Sequence, residues 1–116
     1  MNSTVAIVNG IGTHAGRVPA LDKVATLALS GFAAGYYGAA VSARITTADG
    51  KAALSADATG TVSLSGTLTL AFDCDTAAML ALMPAGRAGD TTILLTVWKT
   101  ADYDIACVSK LNITPY

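Results

Sequence analysis

Residues 61–73 alternate in polarity. Val62, Leu64, Leu68, Leu70 and Phe72 share one register, and Ser63, Ser65, Thr67, Thr69 and Asp73 share the other. A period of two predicts one long strand with a buried and a wet face. Gly66 falls on the apolar register and predicts a bend, a bulge or a close backbone approach there. Upstream, residues 39–47 and 51–58 flank Ala48-Asp49-Gly50. Asp and Gly both tolerate positive φ, so this spacing predicts an antiparallel hairpin. Residues 24–30 read as an earlier strand closed by Ser30-Gly31, and Gly35-Tyr36-Tyr37-Gly38 reads as the following loop.

After Asp73 the period changes. Asp75 or Thr76 can cap a short helix over residues 76–83, which Pro84 and the loop 85–90 terminate. About two turns of helix are not stable alone, so this one must rest on the sheet. Residues 91–98 return to an apolar strand, 101–104 form a turn, and 105–113 form a last strand with Ile105, Cys107, Leu111 and Ile113 on one face. Within residues 1–23, Thr4 to Val8 can extend, but Gly10, Gly12, Gly16 and Pro19 interrupt the remainder. The expected architecture is mainly β: an antiparallel β-sandwich or partly open barrel over residues 24–116, one short α-helix, and an irregular N-terminal arm over 1–23. An arm of that length predicts contact with a neighbouring subunit through Val5, Ile7, Ile11, His14, Arg17 and Val18.

Composition narrows the function. At 116 residues the chain can close one core without metal or disulfide staples. Cys74 and Cys107 are too far apart for a C-x-x-C site and read as buried thiols. Charged residues make up 13% of the chain, against about 25% in ordinary soluble domains, and form no run of one sign. Nucleic acid is therefore not an expected partner, because phosphate binding needs clustered cations. A surface this poor in charge is weakly protected against association. No stretch of about 18 apolar residues is present and the first ten residues lack a basic, then apolar, leader pattern, so neither a membrane span nor a signal peptide is expected.

The candidate chemistries are weak. The run from Asn9 to Gly16 spaces its glycines G-x-G-x-x-x-G, and Pro19 blocks the helix a dinucleotide loop requires. His14 is the only histidine, and no base-and-orienter arrangement surrounds it. Asp73 and Asp75 flank Cys74 on one face of an extended chain, but two carboxylates do not supply the six to eight oxygens calcium prefers, and helix capping accounts for Asp75. Asp102 and Asp104 read as turn residues. No catalytic residue, metal or cofactor is expected, nor a small-molecule ligand. Tyr36, Tyr37, Trp98 and Tyr103 could form an aromatic platform for sugar, which leaves a carbohydrate or cell-surface binding module as the alternative.

The order of elements from Asp49-Gly50 onward adds a resemblance. Gly66 to Asp73, the Asp75-Thr76-Ala77-Ala78-Met79-Leu80 helix start, and the strand 92–98 with its closing partner are similar to small β-sandwich domains of tailed-bacteriophage virion proteins. Those domains begin tail-fibre and baseplate proteins or decorate capsids. The resemblance implies a non-enzymatic virion component, made in the host cytoplasm, whose partners are copies of itself and other virion proteins. Such relatives carry a long fibre region after the sandwich, whereas this sequence stops at Tyr116, which favours a decoration, adaptor or tail component over a receptor-binding one.

Overall fold

The computed structural model describes residues 2–8, 11–14, 17–19, 23–82 and 91–114, with side chains described for 23–82 and 92–111. The strands are β1 (Asn2–Val8), β2 (Ile11–His14), β3 (Arg17–Pro19), β4 (Val24–Ser30), β5 (Ala40–Thr47), β6 (Ala58–Thr61), β7 (Leu68–Asp73), β8 (Thr91–Lys99) and β9 (Ile105–Thr114). A 3-10 turn, Ala34–Tyr36, precedes β5, and one α-helix, α1 (Thr76–Ala81), follows β7. The protein is mainly β with a single short helix, as the alternation predicts.

Hydrogen-bonded neighbours run β6-β5-β8-β9-β2-β1-β4-β7, with β3 also on β9. The antiparallel ladders form two groups, β6-β5-β8-β9 and β4-β7, besides the β1-β2 hairpin. Parallel pairs join these groups: β1 runs beside β4, and β2 and β3 run beside β9. Residues expected to leave the domain as an irregular arm are thus partly extended and paired within it. Val5 and Ile7 lie on β1, Ile11 and His14 on β2, and Arg17 and Val18 on β3, with side chains outside the described ones.

Alternation explains why the two groups face each other. Ala25, Leu27 and Leu29 of β4 and Leu70 and Phe72 of β7 turn inward, opposite Val41, Ala43 and Ile45 of β5 and Ile93, Leu95 and Val97 of β8. All belong to one buried cluster, a sandwich-like core. Each fully buried Leu, Ile or Phe contributes about 1.5–3 kcal/mol relative to an exposed position. The buried polar side chains among the described residues are hydroxyls only: Ser42, Thr46, Ser55 and Ser109. Ser42 Oγ pairs with Thr100 Oγ1 at 2.8 Å and Ser55 Oγ accepts from the Ile45 amide at 3.1 Å. Ser109 Oγ has no partner. Cys74 and Cys107 are both buried.

Local chemistry sets the ends of the elements. Asp75 caps α1, its Oδ1 accepting from the Ala78 amide at 3.1 Å, and Met79 anchors the helix in the core at 0% exposure. Residues 83–90, where Pro84 was expected to end the helix, lie outside the described residues. The Asp49-Gly50 turn forms, with Gly50 at φ 76°, but the expected second hairpin strand over 51–58 does not: residues 51–57 meet β5 only at the isolated Thr46–Ala53 bridge, and the strand that pairs with β5 on that side, β6, begins at Ala58.

Two further expectations need correction. Residues 61–73 are not one strand: β6 stops at Thr61 and the chain turns before β7 begins at Leu68. Gly66, at φ 76°, makes that turn, and Ser63 Oγ accepts from the Ser65 and Thr67 amides at 3.3 and 3.1 Å. Competition of this kind by a serine side chain breaks a ladder without altering the apolar register. The second correction is on β9, where a register shift between Val97 and Trp98 places Trp98 opposite Ile105. Ala106 and Cys107 are then both buried, and Ile105 is turned out to 53% exposure.

Candidate functional site

Three connections meet at one end of the sandwich. The segment 31–39 carries the 3-10 turn, 62–67 joins β6 to β7, and 100–104 joins β8 to β9. Backbone bonds tie the first two: the Phe32 amide donates to Gly66 O at 3.2 Å, Gly38 to Val62 O at 2.8 Å, and Val62 to Ala39 O at 3.0 Å. Tyr36 ties the first to the third. Its hydroxyl donates to Asp104 Oδ2 at 3.2 Å, its ring lies 6.2 Å from that of Phe32, and Lys99 Nζ stands 5.1 Å from its centroid. Burial first, then the adjacent Asp104 carboxylate, holds the Tyr36 hydroxyl above the usual phenol range.

This end shows solvent an unusual set of side chains. Tyr37, Leu64, Tyr103 and Ile105 are four of the seven large apolar residues exposed among the described ones. Leu64 is 81% exposed and Tyr103 76%. Tyr103 is also the one described non-glycine residue at positive φ, 59°. Its amide donates to Lys99 O at 2.9 Å, and Asp102 Oδ1 accepts from the Asp104 amide at 3.0 Å, so an Asx turn fixes the tip. A bulky side chain in the left-handed region costs about 1–2 kcal/mol. At this exposure no burial of the Tyr103 ring offsets that cost.

The four aromatics proposed for sugar do not share a plane of presentation. Tyr36 bonds Asp104, the residue after Tyr103 in sequence, and Tyr37 lies beside Gly66. Trp98 stands apart, on the face of β8 opposite the buried Ile93, Leu95 and Val97. There the Arg44 guanidinium sits 5.6 Å from the indole centroid and grips Asp57 through Nε–Oδ1 at 2.6 Å and Nη2–Oδ2 at 3.0 Å. The hydrogen bonds raise the Arg44 pKa and lower that of Asp57.

At the other end of β5 and β8 lies an open hollow of about 440 Å³. Ala48, Ala52 and Leu82 line it together with Thr47 and Thr92, and Lys51 and Asp49 contribute its charges. The Asp49 carboxylate is already engaged, taking the Thr47 hydroxyl at 2.5 Å and the Lys51 amide at 3.0 Å, which lowers its pKa.

Asp73 and Asp75 do not converge on a site: Asp75 caps α1 and Asp73 is exposed. Among the described residues no three His, Cys, Asp or Glu side chains gather as a metal site, and no helix is long and apolar enough to cross a membrane. Sequence reasoning selected Tyr103 but missed Leu64, whose place in an alternating run reads as buried, and Ile105, which only the bulge turns outward. No family model, curated protein or solved structure matches the chain.

Proposed function

We propose that this protein is a non-enzymatic structural component of a tailed-bacteriophage virion, a tail, fibre-attachment or decoration part that acts through contacts with other chains. The observation that carries the contact role is the apolar loop end, where Tyr37, Leu64, Tyr103 and Ile105 face solvent. Clustered exposure of large apolar side chains marks interaction surfaces. A chain with only 13% charged residues supports the same reading. The virion setting rests on the resemblance in element order described above.

The test is to find the chain in particles. Tryptic peptides of this sequence should copurify with virions banded on a density gradient, at a fixed ratio to the major capsid protein. Peptides that remain in the soluble lysate fraction and never band with particles refute the virion role.

The exposure of Tyr37 and Tyr103 at this end favours a second reading, a carbohydrate or cell-surface binding module. Exposed tyrosines offer an apolar ring and a polar tip, which suit sugar C–H and O–H groups respectively. Glycan-array binding that disappears in Tyr103→Ala while the fold survives would put this reading first.

A further inference from the structure

We infer that the Asp49-Gly50 turn is a latent isoaspartate site, which the hydroxyl and carbonyl oxygens of Thr47 hold closed in the folded chain. The inference goes beyond the assembly reading and does not depend on it.

The chemistry starts from the sequence. Asp49-Gly50 is the one Asp-Gly pair in the chain. In such a pair the glycine amide nitrogen attacks the aspartyl Cγ with no side chain to obstruct the approach. An N–Cγ bond forms, the nitrogen loses its proton, and one carboxyl oxygen leaves as water, which gives a five-membered succinimide. Water then reopens the ring. Addition at Cγ restores aspartate, whereas addition at the backbone carbonyl carbon breaks its bond to the nitrogen and leaves the chain running through Cγ. Residue 49 is then isoaspartate, with one extra methylene in the main chain.

Both reacting groups are occupied in the turn. The Gly50 amide donates to Thr47 O at 2.8 Å, so giving up its proton forfeits that bond. The carboxyl must be neutral for its oxygen to leave as water. Asp49 Oδ1 accepts from the Thr47 hydroxyl at 2.5 Å and from the Lys51 amide at 3.0 Å. Hydrogen bonds to the ionised form hold the carboxyl below its ordinary range, the Thr47 bond first.

Packing gives the pair no comparable cover. Ala48, Asp49 and Gly50 are all exposed, and a Cβ on Gly50 would meet nothing within 4 Å among the described residues. Protection therefore comes from the turn's own bonds, most of which involve Thr47. Besides holding Gly50 and Asp49, Thr47 donates its amide to Ala52 O at 2.9 Å, and its hydroxyl accepts from the Ala52 amide at 3.3 Å. An extra methylene at position 49 would move Ala52 out of register with Thr47, next to the Thr46–Ala53 bridge.

Ageing the full chain at physiological pH and temperature, followed by tryptic mapping, tests this. Cleavage after Arg44 and Lys51 releases residues 45–51, whose aspartyl and isoaspartyl forms separate by chromatography. The synthetic peptide of residues 45–51 sets the unprotected rate. Wild type should convert at least about tenfold more slowly, because only the opened turn reacts. Thr47→Val removes the hydroxyl, keeps the branched shape, and should convert several-fold faster than wild type. Thr47→Ser keeps the hydroxyl and should match wild type. Met79→Ala weakens the core without touching the turn and should also match wild type, which separates loss of the turn's bonds from a general loss of stability. A wild type as fast as the peptide, a Thr47→Val rate equal to that of wild type, or a Thr47→Ser or Met79→Ala rate as high as that of Thr47→Val each overturns the inference.

Discussion

The Phe32 carbonyl oxygen lies 2.9 Å from where a Cβ on Gly66 would sit, while the Phe32 amide bonds Gly66 O at 3.2 Å. The two segments of the loop end are thus clamped backbone to backbone, at a position whose φ of 76° already favours glycine. Gly66→Ala should lower stability by about 2 kcal/mol or more in urea unfolding, the left-handed cost plus the collision. Gly50 has the same φ with open space around it, so Gly50→Ala should lose only about 1 kcal/mol. Equal losses at both sites would show that the approach to Phe32 is unimportant.

Asp75 and Met79 should separate the two contributions to α1. Replacing the cap by Ala should cost about 1 kcal/mol, with Asn keeping most of it. Met79→Ala opens a cavity under the helix and should cost about 3 kcal/mol. Denaturant midpoints of the three variants decide the point.

The Arg44–Asp57 pair is exposed, its side chains 45% and 42% accessible, so a double-mutant cycle should return no more than about 1 kcal/mol. The carboxyl of Asp57 titrates below its ordinary 3.8 in the folded protein, first because Arg44 hydrogen-bonds it. Its small contribution is therefore present above pH 3.8 and lost as pH falls through the folded value. In Asp57→Asn the difference from wild type should shrink as acid unfolding is approached. Trp98 is the only tryptophan, so Arg44→Ala should also change its fluorescence.

Ser109 presents the opposite case, a hydroxyl at 1% exposure with no partner. Desolvating that group without a bond is unfavourable, so Ser109→Ala should raise stability by about 1 kcal/mol. A loss of stability would mean that the hydroxyl is satisfied in solution.

Elements governed by neighbours in sequence were legible beforehand. β4 and the Asp75 cap follow from alternation and a single acidic side chain, and Asp49-Gly50 announces its turn. Gly66 marked a bend, but the full break over residues 62–67 was not legible, because Leu64 continues the apolar register through a turn that Ser63 makes with its own hydroxyl. Ile105 was misplaced by one residue of register, which suffices to move a side chain to the opposite face. The parallel pairing of β1 with β4 and of β2 and β3 with β9 carries no local signal, since its partners are remote along the chain. Of the loop end, Tyr36, Tyr37 and Tyr103 stood out as aromatics near turns, but the joining of their loops depends on Tyr36 and Asp104 meeting across 68 residues.

β9 is last in chain order among the described strands, yet it sits inside the sheet with β8 on one side and β2 and β3 on the other. During synthesis, β2 and β3 therefore leave the ribosome long before their partner exists. The core cannot close until residues 105–114 are free to thread into place, so folding is held until translation of this region is complete. Long loop closures of this kind make folding slow, on the order of milliseconds to seconds. During that interval nascent chains carry unpaired strand edges, the state in which one copy is most open to capture by another.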